Sequence, residues 1–155
     1  QRKVVIYFDQ SRKDSIKIKF GNKNSPREII INNGWTYLNG AWLEEYIFSK
    51  SLLYCDDVLA NVKLSRQSLN NNIPLNEIDV IAMKDNRIHI ISCKTSKKLT
   101  KEDQYELLGY KELAGGIFGT AYLVSTHIPK SLFRERIELF KIRQVYGEKI
   151  QNFKI

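Results

Sequence analysis

Two apolar runs, residues 77–83 and 88–93, flank the tetrapeptide Lys84-Asp85-Asn86-Arg87. Runs of Ile, Val and Met broken by Asp-Asn are the pattern of a β-hairpin with a two-residue turn, because Asp and Asn tolerate positive φ. With Asp85-Asn86 as the turn, Asp79 faces Ser92 and Glu77 faces Lys94 across the two strands. Strand side chains alternate, so Glu77, Asp79, Ser92 and Lys94 share one face with Ile81, Met83, Ile88 and Ile90. Ile78, Val80, Ala82, Ile91 and Cys93 cover the other, which makes the hairpin central in its sheet. Two carboxylates and an ammonium at the edge of such a core are unfavourable unless they serve each other or a metal.

The same reading extends along the chain. Residues 3–8, 15–20 and 28–31 read as strands separated by polar segments, with 21–27 as a loop and Asn32-Asn33-Gly34 as punctuation. Trp42, Leu43, Tyr46, Ile47, Leu53 and Tyr54 recur at helical spacing, predicting a helix over 40–54 capped by Asn39. A half-buried strand at 58–64 and a polar loop at 67–74 lead to the hairpin. Thr100 and Asp103 have capping-box spacing and open a helix with Tyr105, Leu108 and Leu113 inward, closed by Gly115-Gly116. Residues 120–125 form an interior strand. A last helix starts at Pro129, carries Phe133, Ile137 and Phe140 inward and exits at Gly147, leaving 150–155 as a strand or tail. The order from residue 40 is α-β-β-β-α-β-α. This is an α/β fold, a mixed sheet flanked by helices, at 35–155, preceded by a small β extension at 1–34.

Composition narrows the class. With 155 residues, 43% hydrophobic and 27% charged, the chain suits one globular domain. No apolar run approaches a membrane span. Cys55 and Cys93 stand alone beside two histidines, which supports neither a disulfide framework nor a zinc site and suggests a reducing cytoplasm. The chain opens Gln1-Arg2-Lys3 without a signal-peptide pattern, as expected for a piece of a longer protein. A net charge of +8 favours polyanion partners, nucleic acid foremost, although the charge is scattered and simple basicity accounts for it as well.

An acid-bearing helix before a hairpin with Asp on one strand and Lys on the next is an arrangement for cutting phosphodiesters with Mg²⁺ or Mn²⁺. The sequence resembles the PD-(D/E)xK nuclease superfamily, with its restriction-endonuclease-like core. More closely, it is similar to the nuclease domain of the CRISPR-associated CARF-nuclease family, whose sensor half binds cyclic oligoadenylates made by type III systems. The segments that carry the resemblance are Asn39-Gly40-Ala41-Trp42-Leu43-Glu44, Asn76-Glu77-Ile78-Asp79-Val80, Cys93-Lys94-Thr95, and Gly115-Gly116-Ile117-Phe118-Gly119 followed by Leu123-Val124-Ser125.

The resemblance implies that Asp79 is the principal metal ligand and Lys94 the catalytic lysine. The Cys93 carbonyl completes the metal shell, Glu44 is the helix acid and Glu77 the acid beside the metal. It also implies a homodimer and an activator bound by a sensor domain for which the residues before Gly34 are too few. At Ser92 a typical member has Glu, so one carboxylate is missing; Glu77 is the expected substitute, directly or through water, with Glu44 adding a third from the helix. The alternative is a degenerate fold that only binds nucleic acid or dimerises. Lys97, Lys98, Lys101, Gln104 and Lys111 are candidate nucleic-acid contacts, with Tyr37 and Tyr105 as possible stacking platforms. Each has a plainer reading as a solvated face, and Glu77 as an ion pair with Lys94. Periodicity does not separate Glu44 from Glu45. His89 reads as a packed histidine and His127 as a solvated one.

Overall fold

The structure, a computed structural model, describes residues 3–8, 15–22, 25–67 and 72–155. The chain forms two compact units, Gln1–Trp42 and Leu43–Ile155. In the first, β1 (Lys3–Phe8), β2 (Ser15–Asn22) and β3 (Ser25–Asn32) make an antiparallel sheet in that order. Pairing reaches Asn22↔Ser25, so most of the loop expected at 21–27 is strand. Asn33 then turns left-handed at φ 56° into the single-turn α1 (Gly34–Thr36). A Cβ on Gly34 would lie 2.6 Å from an Ile16 side-chain carbon, so only glycine fits there.

The helix expected at 40–54 differs at both ends. A further turn, Tyr37–Ala41, precedes α2 (Trp42–Ser51), and Gly40 within it is non-helical at φ 166° and ψ −33°, which kinks the chain. Asn39 therefore lies inside this turn rather than at a helix start. Leu43 and Ile47 are buried, but the helix stops at Ser51 and leaves Leu53 and Tyr54 exposed.

The second unit contains β4 (Asp57–Gln67), β5 (Asn72–Lys84), β6 (Arg87–Lys94), α3 (Lys101–Tyr110), β7 (Thr120–Ser125), α4 (Ser131–Leu139) and β8 (Arg143–Tyr146). The five strands lie in sequence order, with β4-β5-β6 antiparallel and β6-β7-β8 parallel. The expected α-β-β-β-α-β-α order holds, and the mixed sheet flanked by helices is restriction-endonuclease-like. β5 begins at Asn72, shortening the expected 67–74 loop. The last helix ends at Leu139 instead of Gly147, and the residues after it supply β8, whose Arg-Gln-Val-Tyr sequence has too little apolar alternation to announce a strand. The end of the chain is a helical turn, Gly147–Asn152, followed by Phe153 packed edge-on against Tyr122 at 5.8 Å.

The hairpin register is the one expected. Asp85 and Asn86 have φ of 50° and 58°, and the ladder pairs Lys84↔Arg87 through Val80↔Ile91. Ile78, Ile90, Leu107, Ala121, Leu123, Ile137 and Ile142 form the core between the sheet, α3 and α4.

α3 starts at the expected capping box: Asp103 N–H donates to Thr100 Oγ1 at 3.3 Å, and Thr100 N–H donates back to Asp103 Oδ2 at 2.7 Å. Its inward phase meets expectation at Leu108, which packs against the core, and differs elsewhere. Leu107 and Gln104 are buried, whereas Tyr105 and Leu113 are exposed. Thr100→Ala removes the cap oxygen and is expected to destabilise the domain by about 1 kcal/mol. Urea unfolding of the two proteins at equal m-value measures the difference.

Candidate active site

The polar ends of β5 and β6 lie where the two strands part. Their ladder closes at Val80↔Ile91. Beyond it β5 stays with β4, as Ile78↔Val62 and Glu77↔Lys63, while β6 stays with β7, as Ser92↔Leu123, Cys93↔Val124 and Lys94↔Ser125. At the fork the Asp79 side chain stands in for the ladder: its Oδ2 accepts the Cys93 amide at 2.6 Å and the Ser92 hydroxyl at 3.3 Å. On the other side, the β4–β5 pairing skips Asn61 opposite Asp79, and Asn61 is left-handed at φ 53°. Strict alternation fails at this point. Ile78 joins the core of Ile81 and Ile90 instead of siding with Val80. Glu77 is exposed and registers with Lys63, and it lines the same cleft as Asp79. The plainer reading of Glu77 as the ion-pair partner of Lys94 is not met: Lys94 Nζ pairs instead with Asp103 Oδ1 at 3.3 Å.

The fork opens a cleft of about 60 Å³. Glu77, Asp79, Ser92 and Lys94 line it from the strands, and Glu106, Leu107 and Tyr110 from α3. Tyr110 Oη donates to Glu106 Oε1 at 2.7 Å. Sequence reading missed Glu106 and Tyr110. Their signal was positional: Asp103, Glu106 and Tyr110 follow i, i+3, i+7 spacing and share one helical face.

The electrostatics bind these groups together. Burial raises the Asp79 carboxyl above its ordinary value, and nearby Glu106 adds to this; the Cys93 amide, the Lys94 ammonium and the Ser92 hydroxyl oppose it without cancelling it. Glu44, on the first turn of α2, is likewise raised by burial, then by the charges of Asp79 and Glu77. Lys94 is lowered by burial, but Asp103, Asp79 and Glu106 together outweigh that and hold the ammonium above its usual value. Burial first, then Asp79 and Glu44, pushes the Cys93 thiol well up, so it is a neutral packing group.

Carboxylates that burial and mutual repulsion hold partly against ionisation are stabilised by a cation, and oxygen donors of this kind suit a hard dication. No three His, Cys, Asp or Glu side chains among the described residues converge as a closed metal cluster.

The candidate nucleic-acid residues scatter. Lys97 and Lys98 line a cleft of about 390 Å³ beside the end of β6, with His127, Pro129 and Lys130. Lys101 is exposed at the start of α3, and Lys111 is half-buried and paired with Glu112 at 2.8 Å. Gln104 has no surface to offer a nucleic acid: it is 1% exposed and donates to the Phe133 carbonyl at 3.4 Å. Tyr105 is exposed and meets Phe140 edge-on, and Tyr37 is half-buried. His89 is buried against Tyr122.

The sequence model described as "Card1-like, endonuclease domain" matches residues 32–154. The chain belongs to that family. The match bears out the resemblance read from the motifs and spans every residue of the cleft. Among solved structures, this Card1-like domain is similar to protein VC1899 from Vibrio cholerae, with 26% identity and a TM-score of 0.70 over 85% of this chain and 36% of that one. It also resembles Can2 from Sulfobacillus thermosulfidooxidans, solved with cyclic tetra-adenylate, at 18% identity and a TM-score of 0.60 over 85% and 38%. The chain thus spans about a third of the length of these proteins. No curated protein sequence matches it. Among the described residues no helix is long and apolar enough to cross a membrane.

Proposed function

We propose that this Card1-like domain is a divalent-metal-dependent endonuclease that hydrolyses DNA or RNA phosphodiester bonds. It would serve as the effector part of a type III CRISPR ancillary nuclease. The observation that carries the reading is Asp79 and Lys94 meeting in one cleft at the fork of β5 and β6, within a chain of the endonuclease family.

Asp79 is held for ligation by the Cys93 amide and the Ser92 hydroxyl, which fix Oδ2 and direct the carboxylate. Glu77, Glu44 and the Cys93 carbonyl are further oxygen donors around it. A bound Mg²⁺ or Mn²⁺ supplies charge neutralisation at the phosphate and lowers the pKa of a water. Lys94 is protonated, and its role is to stabilise negative charge as it develops on the reacting phosphate. Lys97, Lys98 and Lys101 offer phosphate contacts leading away from Lys94. Assembly as a homodimer and activation by a cyclic oligoadenylate bound outside these residues belong to the same proposal. The activation draws support from the cyclic tetra-adenylate bound by Can2.

The second reading, a degenerate module that only binds nucleic acid or dimerises, is favoured by Ser92, since a hydroxyl brings no charge to a hard dication. The two separate on incubating the protein with plasmid and with single-stranded DNA and RNA under Mg²⁺, Mn²⁺ or chelator. Metal-dependent cleavage is expected; its absence with both metals, with and without cyclic tetra-adenylate, leaves the degenerate module. Ser92→Glu restores the missing carboxylate and is expected to tighten metal binding about tenfold, roughly 1.4 kcal/mol. Half-saturating metal concentration for cleavage reports this.

A further inference from the structure

Ser92 leaves β6 without an acid, so any second carboxylate for the metal must come from elsewhere in the cleft. Glu77 and Glu106 both line it. They differ in how they are held. Glu77 registers with Lys63 of β4, on the far side of β5 from β6. Glu106 projects from α3 across the open fork, and the Tyr110 hydroxyl one turn later fixes its Oε1 at 2.7 Å. α3 is itself anchored at this end of the sheet, because Asp103 joins its cap to Lys94 at 3.3 Å. Leu107, next to Glu106, is buried in the core beside Ile90. The helix thus has a fixed phase, with Glu106 turned to the cleft while remaining exposed to water.

We infer that Glu106 supplies the second metal-directed carboxylate that Ser92 lacks, with Tyr110 as its positioning residue. The inference rests on the metal-dependent reading above. The acid has moved from the strand to the facing helix, and the net charge of the site is thereby kept. The charge of Glu106 is felt at both Asp79 and Lys94, in agreement with this placement. Because Glu106 is exposed to solvent, it can act on the ion through a water or directly, without the closed cluster that a structural metal site needs.

The test is Mn²⁺ binding by calorimetry on the whole chain with a non-cleavable phosphorothioate oligonucleotide present, which needs no turnover. Glu106→Gln is isosteric, keeps an acceptor for Tyr110, and is expected to weaken Mn²⁺ binding about tenfold. Tyr110→Phe is expected to lose about threefold, because the carboxylate remains but is less fixed. The decisive comparison is Glu106→Gln made in the Ser92→Glu background: with a carboxylate back on β6, its cost is expected to shrink from about tenfold to about twofold or less. A purely structural role for Glu106 predicts the same loss, about tenfold, in both backgrounds. Wild-type binding left unchanged by Glu106→Gln overturns the Glu106 assignment and leaves the metal-dependent reading standing. No Mn²⁺ binding by the wild type overturns both.

Discussion

Asp79→Asn is expected to lower metal-dependent cleavage by about 10³-fold or more, since it removes the carboxylate charge beside Lys94 that the proposed metal requires. The same substitution is expected to make the metal-free domain more stable at neutral pH. The two effects share one cause. Burial, reinforced by Glu106, raises the Asp79 carboxyl despite the Cys93 amide, Lys94 and the Ser92 hydroxyl. A carboxyl raised in the folded state binds its proton more tightly there than in the unfolded chain. Its favourable contribution is therefore present in acid and is lost as pH rises from the ordinary carboxyl value through the raised one. Asn keeps an oxygen for the Cys93 amide and has no proton to lose. The variant should thus match the wild type in acid and exceed it in Tm near pH 7 with chelator present. Saturating Mg²⁺ should raise the wild-type Tm and leave Asp79→Asn unmoved, because only the former gains binding energy. Thermal unfolding of both proteins at two pH values, with chelator and with Mg²⁺, checks all of this. A variant less stable than the wild type near pH 7 in chelator would mean that the Cys93 hydrogen bond outweighs the burial of the charge.

That conflict between function and stability also explains what the sequence disclosed and what it hid. The hairpin was legible because two local rules agreed: alternation of apolar residues, and a turn pair that accepts positive φ at Asp85 and Asn86. The Thr100–Asp103 cap was legible because it is a contact between near neighbours. The phase of α3 was not legible. A helix with one face on a polar cleft turns Asp103 and Glu106 toward the cleft and buries Gln104 beside Leu107, so only part of its apolar pattern, Leu107 and Leu108, marks the inside. Tyr105 and Leu113, which looked inward by hydrophobicity, are exposed. Alternation likewise misled at Ile78, because nothing in the residues themselves shows that both neighbours of β5 break pairing at Asp79. The failures cluster around the fork. Local propensity is overridden there by the polar groups the cleft must hold.

Lys94 separates two catalytic roles that residue type alone leaves open, base or cation. Three carboxylates surround the ammonium, the nearest being Asp103 Oδ1 at 3.3 Å, and together they overcome the effect of burial. Asp103 is available because Thr100 takes its other oxygen: Oδ2 accepts the Thr100 amide at 2.7 Å and hydroxyl at 3.0 Å. A lysine held above its usual pKa stays charged through the physiological range, so it has no lone pair for a proton. The expected result is that Lys94→Ala lowers cleavage by about 10³-fold, a typical value for one preorganised charge-stabilising donor. Lys94→Arg keeps the charge and still reaches Asp103, though with a fork in place of a point charge, and is expected to retain about a tenth of the activity. A base at this position predicts the reverse, since arginine accepts no proton and would fall as far as alanine. Single-turnover cleavage from pH 6.5 to 9 compares the three proteins, with oligonucleotide binding measured alongside to show that each still holds substrate. Equal losses in Lys94→Arg and Lys94→Ala, with binding intact, would assign the lysine to proton transfer. Partial activity in Lys94→Arg at every pH assigns it to the developing charge on the phosphate.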